Sequence, residues 1–337
     1  MSQRRHQYSR QNWQRQGAYV KAQQKDRHKR LLMRFVILLV LLCGAYALWT
    51  HLSWSGHSGT GYADRFASSP AFAEAQNSEA SGSKPGTREP ITGLSELTLP
   101  MKISEIEAID THYLELVNQD HPIDSEPDNS LLEPAWPTLP TESGDILLHA
   151  RALDALRGLF WAADEANAGT FYLSSGYRDY AEQKQIYNEE PDKSYVQPPN
   201  HSEHQTGLAA DIAVSRTTLI DLVQDPGARW LANNAWKHGL ILRYTEDKRE
   251  ITHIAGEPWH FRYIGQPHAY VCWQNNWCFE EYIQFLKESG GYQLTLDGRK
   301  YTVLYLTPIN GTVYVPENLS FEISSDNTGG YILTAWE

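Results

Sequence analysis

The chain is 337 residues long, which exceeds the usual single-domain size and fits one sizeable core with accessory segments. Its net charge of -12 conceals a split: residues 1–34 hold ten Lys or Arg against one acid, Asp26, and everything after them is strongly acidic. An acidic body of this kind argues against nucleic-acid binding, and three cysteines without a CxxC pair suggest neither a thiolate metal site nor a redox motif.

The basic head, residues 1–30, runs into an apolar stretch over residues 31–52 whose one formal charge is Arg34. With Arg34 snorkelling to the headgroups, the stretch is long enough for a membrane span, and Trp49 and Trp54 suit its far interface. Positive charge on one flank places the amino end in the cytoplasm and the rest of the chain outside the cell, with membrane lipid as a partner through residues 31–52. The head itself is suited to anionic lipid. A buried core helix is one alternative reading and a cleaved signal peptide another. The small residues Ala71, Ala73 and Ala75 lie too far beyond the run for the usual cleavage geometry, which favours an uncleaved anchor. Residues 53–109 are rich in Ser, Gly, Ala, Thr and Pro, bury too little to offset chain entropy, and read as a flexible stalk.

Residues 110–290 have the texture of a folded α+β domain, after a proline-punctuated wrap from Pro122 to Pro140. Leu148, Ala152, Leu153, Leu156, Leu159 and Phe160 recur at helical spacing, and Gly169 is placed to close that helix. Phe171–Ser174 reads as a strand, Arg178–Asn188 as a helix, and Leu208–Val214 as a buried strand starting near a Gly207 turn. A helix through Trp230 and Trp236 stops at Gly239, before strands at Leu240–Tyr244 and Trp259–Tyr263 and a helix at Glu280–Lys287. Cys272 and Cys278 have the spacing of a small-loop disulfide, yet a helix through both would point them apart, so the pairing stays open. Residues 291–337 read as a small β-rich extension, led by a hairpin across Asp297-Gly298 and followed by strands at Thr312–Val315 and Tyr331–Thr334.

The chemistry is concentrated in two segments, Ser202-Glu203-His204-Gln205-Thr206-Gly207-Leu208-Ala209-Ala210-Asp211 and Glu257-Pro258-Trp259-His260. His204, Asp211 and His260 are a suitable zinc set, because two imidazoles and a carboxylate leave the fourth tetrahedral position for water. Glu257, three residues before His260 and displaced by Pro258, suits a general acid/base better than a fourth ligand. Taken singly, each residue has a plainer reading: a histidine is commonly a surface or hydrogen-bonded core residue, as with His201, His253 and His268; Asp211 is a turn cap; and Glu257 is a surface charge. A serine mechanism is disfavoured, since none of Ser174, Ser175 or Ser202 heads a Ser-x-x-Lys arrangement.

These segments resemble the VanY-type zinc D,D-carboxypeptidases within the LAS group of metallopeptidases, whose pattern is SxHxxGxAxD followed by ExxH. Ser202, His204, Gly207, Ala209 and Asp211 match the first part, and Glu257 and His260 match the second, within a resemblance running from about Leu114 to Lys287. The resemblance implies a LAS-type zinc peptidase domain, with a small antiparallel sheet flanked by helices, that removes the terminal D-Ala from peptidoglycan stem peptides. It also implies that Arg178 stands over the scissile carbonyl and that Gln183 and Ser202 bind the peptide end. The plainer readings are a surface ion pair of Arg178 with Asp179 or Glu182, a solvated helix face for Gln183, and a loop cap for Ser202. An L,D-carboxypeptidase shares the same metal core, and a non-catalytic zinc-fold wall-binding module is a third reading, against which Glu257 and Arg178 both argue.

Overall fold

A computed structural model of the chain describes residues 97–106, 112–123, 125–215, 217 and 222–337. The basic head, the apolar run over residues 31–52 and the stalk up to residue 96 lie outside the described residues. Among those described, no helix is long and apolar enough to cross a membrane.

The described chain begins with β1 (Leu97–Lys102), then β2 (Leu132–Pro134), β3 (Leu147–His149), α1 (Ala150–Glu165), β4 (Phe171–Ser175), α2 (Tyr180–Glu189) and β5 (Ala209–Val214). It continues through α3 (Pro226–Asn234), β6 (Leu240–Tyr244), β7 (Glu257–Tyr263), α4 (Gln266–Asn275) and α5 (Phe279–Ser289). Five strands close it: β8 (Gly291–Leu296), β9 (Arg299–Leu306), β10 (Thr312–Pro316), β11 (Ser320–Ser325) and β12 (Tyr331–Trp336).

Two antiparallel four-stranded sheets organise these elements, ordered β4-β5-β7-β6 and β11-β12-β9-β8. The apolar stripe of α1, including Leu153, Leu156 and Leu159, is completely buried in the core that contains Phe171 and Leu173 of β4, Ile212 of β5 and Phe261 of β7. Each such leucine contributes roughly 1.5–3 kcal/mol through burial. Leu148, expected in the helix, belongs instead to β3, because the His149 side chain accepts from Arg151 N (3.2 Å) and sets the helix start.

Similarly, α2 begins at Tyr180 rather than Arg178. The Asp179 carboxylate accepts from Glu182 N at 2.8 Å and caps the helix there. Arg178 is thereby left on the loop that follows β4, where its side chain is free to turn towards the sheet.

The carboxy-terminal strands are not a separate appendage. Tyr292, Val303 and Ile332 are buried in one core with Tyr282, Ile283 and Leu286 of α5, Ala269 of α4 and Ile264 just before α4. The β8–β9 hairpin turns at Asp297-Gly298, both at positive φ (51° and 81°), the conformation a two-residue turn between twisted strands requires. Residues 97–106, expected in the stalk, form β1 and a helical turn ending at buried Ile106. β1 pairs antiparallel with β10, and Leu97 and Met101 pack against Val313, Val315 and Leu333. Cys272 and Cys278 are both buried free thiols, the first within α4 and the second capping α5.

Candidate metal centre

The pairing of β5 with β7 sets Asp211 directly opposite His260, so two residues 49 positions apart in sequence become cross-strand neighbours. His204 arrives from a single helical turn, Glu203–Thr206, that Gly207 closes at φ 70°. A Cβ on Gly207 would lie 2.8 Å from Leu132 Cδ2 and 3.0 Å from His149 N, so both backbone conformation and space require glycine there. The turn brings the His204 ring edge-on to His260, with centroids 4.8 Å apart.

The hydrogen bonds assign the ring nitrogens. His204 Nδ1 lies 2.7 Å from the Gly176 carbonyl oxygen, which only accepts, so Nδ1 carries the proton and Nε2 faces Asp211 Oδ1 at 3.5 Å. His260 presents its other nitrogen: Nδ1 lies 3.1 Å from Asp211 Oδ1, while Nε2 lies 3.2 Å from Glu203 Oε2. Ligand atoms of His204, Asp211 and His260 all lie within 4.8 Å of one another. Two imidazoles whose far nitrogens are engaged, plus one carboxylate, fit zinc, and unlike an all-oxygen cage they do not suit calcium or magnesium.

Electrostatics keep this cluster poised. Burial, with Arg178 beside it, pushes His204 down to about 4, which keeps the ring neutral with a lone pair to offer. Burial alone would raise the Asp211 carboxyl, but His204 and His260 prevail and hold it well below the usual carboxylate range. Burial opposes charge on His260 as well, yet hydrogen bonds to Asp211 and Glu203 raise it to about 9, so a cation entering here at neutral pH must displace a proton.

Glu257 stands outside the triad, with Oε2 3.8 Å from His260 Nδ1 and only 7% of the residue exposed. Burial pushes its carboxyl up to about 8 against the pull of His260, and a bound cation would draw it back down. Arg178 pairs with neither Asp179 nor Glu182. Its guanidinium is clamped by Ser175 Oγ (3.1 Å), Gln183 Oε1 (3.0 Å) and Asp211 Oδ2 (3.3 Å), which fixes it at the rim of the triad.

Gln183 differs from the expectation of a peptide-binding side chain. It is completely buried, its Oε1 accepts from Arg178 and its Nε2 donates to the Gln197 carbonyl at 2.6 Å, so it braces the arginine from behind. Ser202 is buried at the start of the His204 turn, where its carbonyl accepts from Gln205 N at 3.0 Å and its hydroxyl makes no cap. The remaining histidines stand apart: His201 Nδ1 bonds the Asn118 carbonyl (2.8 Å), His268 is buried against Tyr282 and Thr334, and His253 ends a helical turn at φ 59°.

Sequence reading missed the charged layer behind the triad. Glu203, Arg243 and Arg262 are all essentially inaccessible, and Arg243 joins Glu203 Oε1 (2.8 Å) to Glu280, whose carboxylate it grips at 2.9 and 2.7 Å. Tyr244 completes this side, its ring 5.0 Å from that of His260. The available signal was an arginine beside strand apolar residues, Arg243 after Leu240-Ile241-Leu242 and Arg262 between Phe261 and Tyr263, where an unpaired buried cation is too costly to stand.

A family profile described as VanY, D-alanyl-D-alanine carboxypeptidase, matches residues 145–266. A D-alanyl-D-alanine carboxypeptidase of Enterococcus faecium is 42% identical over 168 residues, which is 49% of this chain and 54% of that protein. The bifunctional D-Ala-D-Ala dipeptidase and D-Ala-D-Ala carboxypeptidase VanXYC of Enterococcus gallinarum is 32% identical over 190 residues, covering 52% of this chain and 96% of the relative. Among solved structures, the vancomycin-resistance D,D-dipeptidase VanXYg, in complex with a D-Ala-D-Ala phosphinate analogue, superposes with a TM-score of 0.58 at 31% identity. That match covers 71% of this chain and 98% of the other. The chain spans about half the length of the first curated relatives it matches, 54% and 55%. Near-complete coverage of VanXYC at this identity, together with the matched profile, places the chain in the VanY family of D-alanyl-D-alanine carboxypeptidases.

Proposed function

We propose that the chain is a zinc carboxypeptidase that hydrolyses the terminal D-Ala from peptidoglycan stem peptides ending in D-Ala-D-Ala. The observation that carries this reading is the convergence of His204, Asp211 and His260 to within 4.8 Å, flanked by Glu257 and by a clamped Arg178. Zinc held by the three would polarise the scissile carbonyl and lower the pKa of water in its open position to about 7. Glu257 takes the attacking water's proton at its carboxylate and returns it to the leaving amine of D-Ala. Its buried position keeps the proton from solvent between the two transfers. Arg178, already held by Ser175, Gln183 and Asp211, has little freedom to lose and turns its charge to the developing oxyanion.

The same reading places the enzyme on the outer face of the cell membrane, anchored by residues 31–52 with its amino end inside; the support is the basic head beside the apolar run. Protease added to intact cells should therefore digest residues 97–337, and their survival while other outer proteins are cut would contradict the placement.

Incubation with a pentapeptide ending in D-Ala-D-Ala, followed by mass spectrometry, tests the activity. Loss of one D-alanine, suppressed by a zinc chelator and untouched by penicillin, is the expected result. Release of the alanylalanine dipeptide, or cleavage confined to L,D-ended tetrapeptides, would move the substrate assignment elsewhere.

A further inference from the structure

We propose that Glu203 is a positioning residue that selects which nitrogen of His260 meets the metal. This rests on the reading of His204, Asp211 and His260 as the ligand set. The two histidines are oriented in opposite senses: His204 uses Nδ1 to reach a backbone carbonyl, whereas His260 turns Nε2 to Glu203 and leaves Nδ1 towards Asp211. A backbone carbonyl fixes the first ring, and a side-chain carboxylate must fix the second.

The surroundings of Glu203 make that carboxylate an acceptor and hold it in one place. Its Oε1 receives Arg243 Nε at 2.8 Å and lies 3.4 Å from Arg262 Nη1, leaving Oε2 for His260 Nε2 at 3.2 Å. Two guanidiniums on one oxygen keep the group ionised, and an ionised carboxylate offers no hydrogen, so the proton of this contact belongs to His260 Nε2. A neutral imidazole protonated at Nε2 has its lone pair on Nδ1, the nitrogen that faces Asp211. The arginines are themselves immobilised: Arg243 grips Glu280 of α5, and Arg262 Nη2 donates to the carbonyls of Tyr113 (3.2 Å) and Glu115 (3.1 Å). Glu203 thus ties His260 to the interior, as carboxylates behind metal-bound histidines commonly do.

Glu203→Gln tests this, because Arg243 meets Oε1 and His260 meets Oε2, and an amide has an oxygen at only one of those two positions. Turning the amide NH2 towards His260 would favour the tautomer with the proton on Nδ1, where the metal binds. Zinc affinity, measured on the full chain by competition with a chromogenic chelator, should fall by about 10–100-fold while circular dichroism remains that of the unaltered protein. A folded variant within twofold of the unaltered affinity would overturn the proposal. Because the variant leaves two buried arginines short of a carboxylate and could unfold, a second measurement uses the unaltered full chain loaded with cadmium-113 and labelled with nitrogen-15 histidine. Coupling of cadmium to His260 Nδ1 and to His204 Nε2, with a proton on His260 Nε2, is the expected result. Coupling to His260 Nε2 would sink the role of Glu203 and leave the ligand set standing, whereas coupling to neither histidine would sink the ligand set itself.

Discussion

The β4-β5-β7-β6 sheet and the β11-β12-β9-β8 sheet have the same strand number and the same antiparallel pairing, yet their interiors are opposites. Behind the first lie Glu203, Arg243 and Arg262, fully buried charges in which Glu203 contacts His260 and both arginines. Behind the second lie Val303, Ile332 and Leu333, completely buried, and the polar contacts beside them that join Tyr292, Tyr282, His268 and Thr334 are between uncharged side chains. A buried charge network adds little net stability for its desolvation cost, whereas an apolar face stabilises without supplying chemistry. With the proposed site on the first sheet and an apolar core behind the second, substitutions in the two should fail in different ways.

The largest effect belongs to the triad. On the proposed ligand set, His204→Ala, Asp211→Ala and His260→Ala would each remove one of three protein ligands, so zinc and turnover should disappear together, by metal analysis and D-alanine release on the same sample. A zinc-loaded, active triad variant would break the assignment. Arg178→Ala comes next: it should keep its zinc and lose roughly 10²–10³ in turnover, comparable to loss of an oxyanion donor. If that variant lost metal instead, its contact with Asp211 at 3.3 Å would be the more important of its roles.

The smallest effect on turnover, and the sharpest test of the second sheet, comes from pH. Burial pushes His268 down from 6.5 to about 3, so the unfolded chain takes up a proton there that the native chain refuses. Stability from this site is complete above pH 6.5 and falls as pH drops towards 3, at about 1.4 kcal/mol per unit, or roughly 2 kcal/mol between pH 6.5 and 5. Urea unfolding at the two pH values should show a stability change that differs by about this amount between the unaltered protein and His268→Asn, since His204 and Glu257 titrate alike in both. Equal slopes would mean that His268 does not link α4 to β12 as drawn.

The two sheets were also unequally legible. The triad residues and Glu257 stand at fixed spacings in two short segments, because a metal needs particular donors whatever surrounds them. Strand β6 and the β8–β9 hairpin were visible too, since Leu240–Tyr244 is nearly all apolar and Asp297-Gly298 is a strong turn signal. What escaped depends on distant partners. Glu203 looks like any acid in a loop until Arg243, 40 residues on, is folded against it. Leu97–Lys102 carries Pro100 and a mostly exposed face, and becomes a strand only because β10 pairs with it from the other end of the chain. The tail reads as a separate extension because alternation reveals a strand but not which core its apolar face enters.

On the proposed mechanism Glu257 moves a proton beside the metal without holding it, and metal content measured beside turnover for Glu257→Gln separates those two roles. The amide keeps the shape of the side chain but cannot accept a proton, so the variant should carry a full complement of zinc and turn over roughly 10²–10⁴ more slowly than the unaltered enzyme. A zinc-free Glu257→Gln protein would make Glu257 a ligand, and one that is zinc-loaded and fully active would remove it from the chemistry.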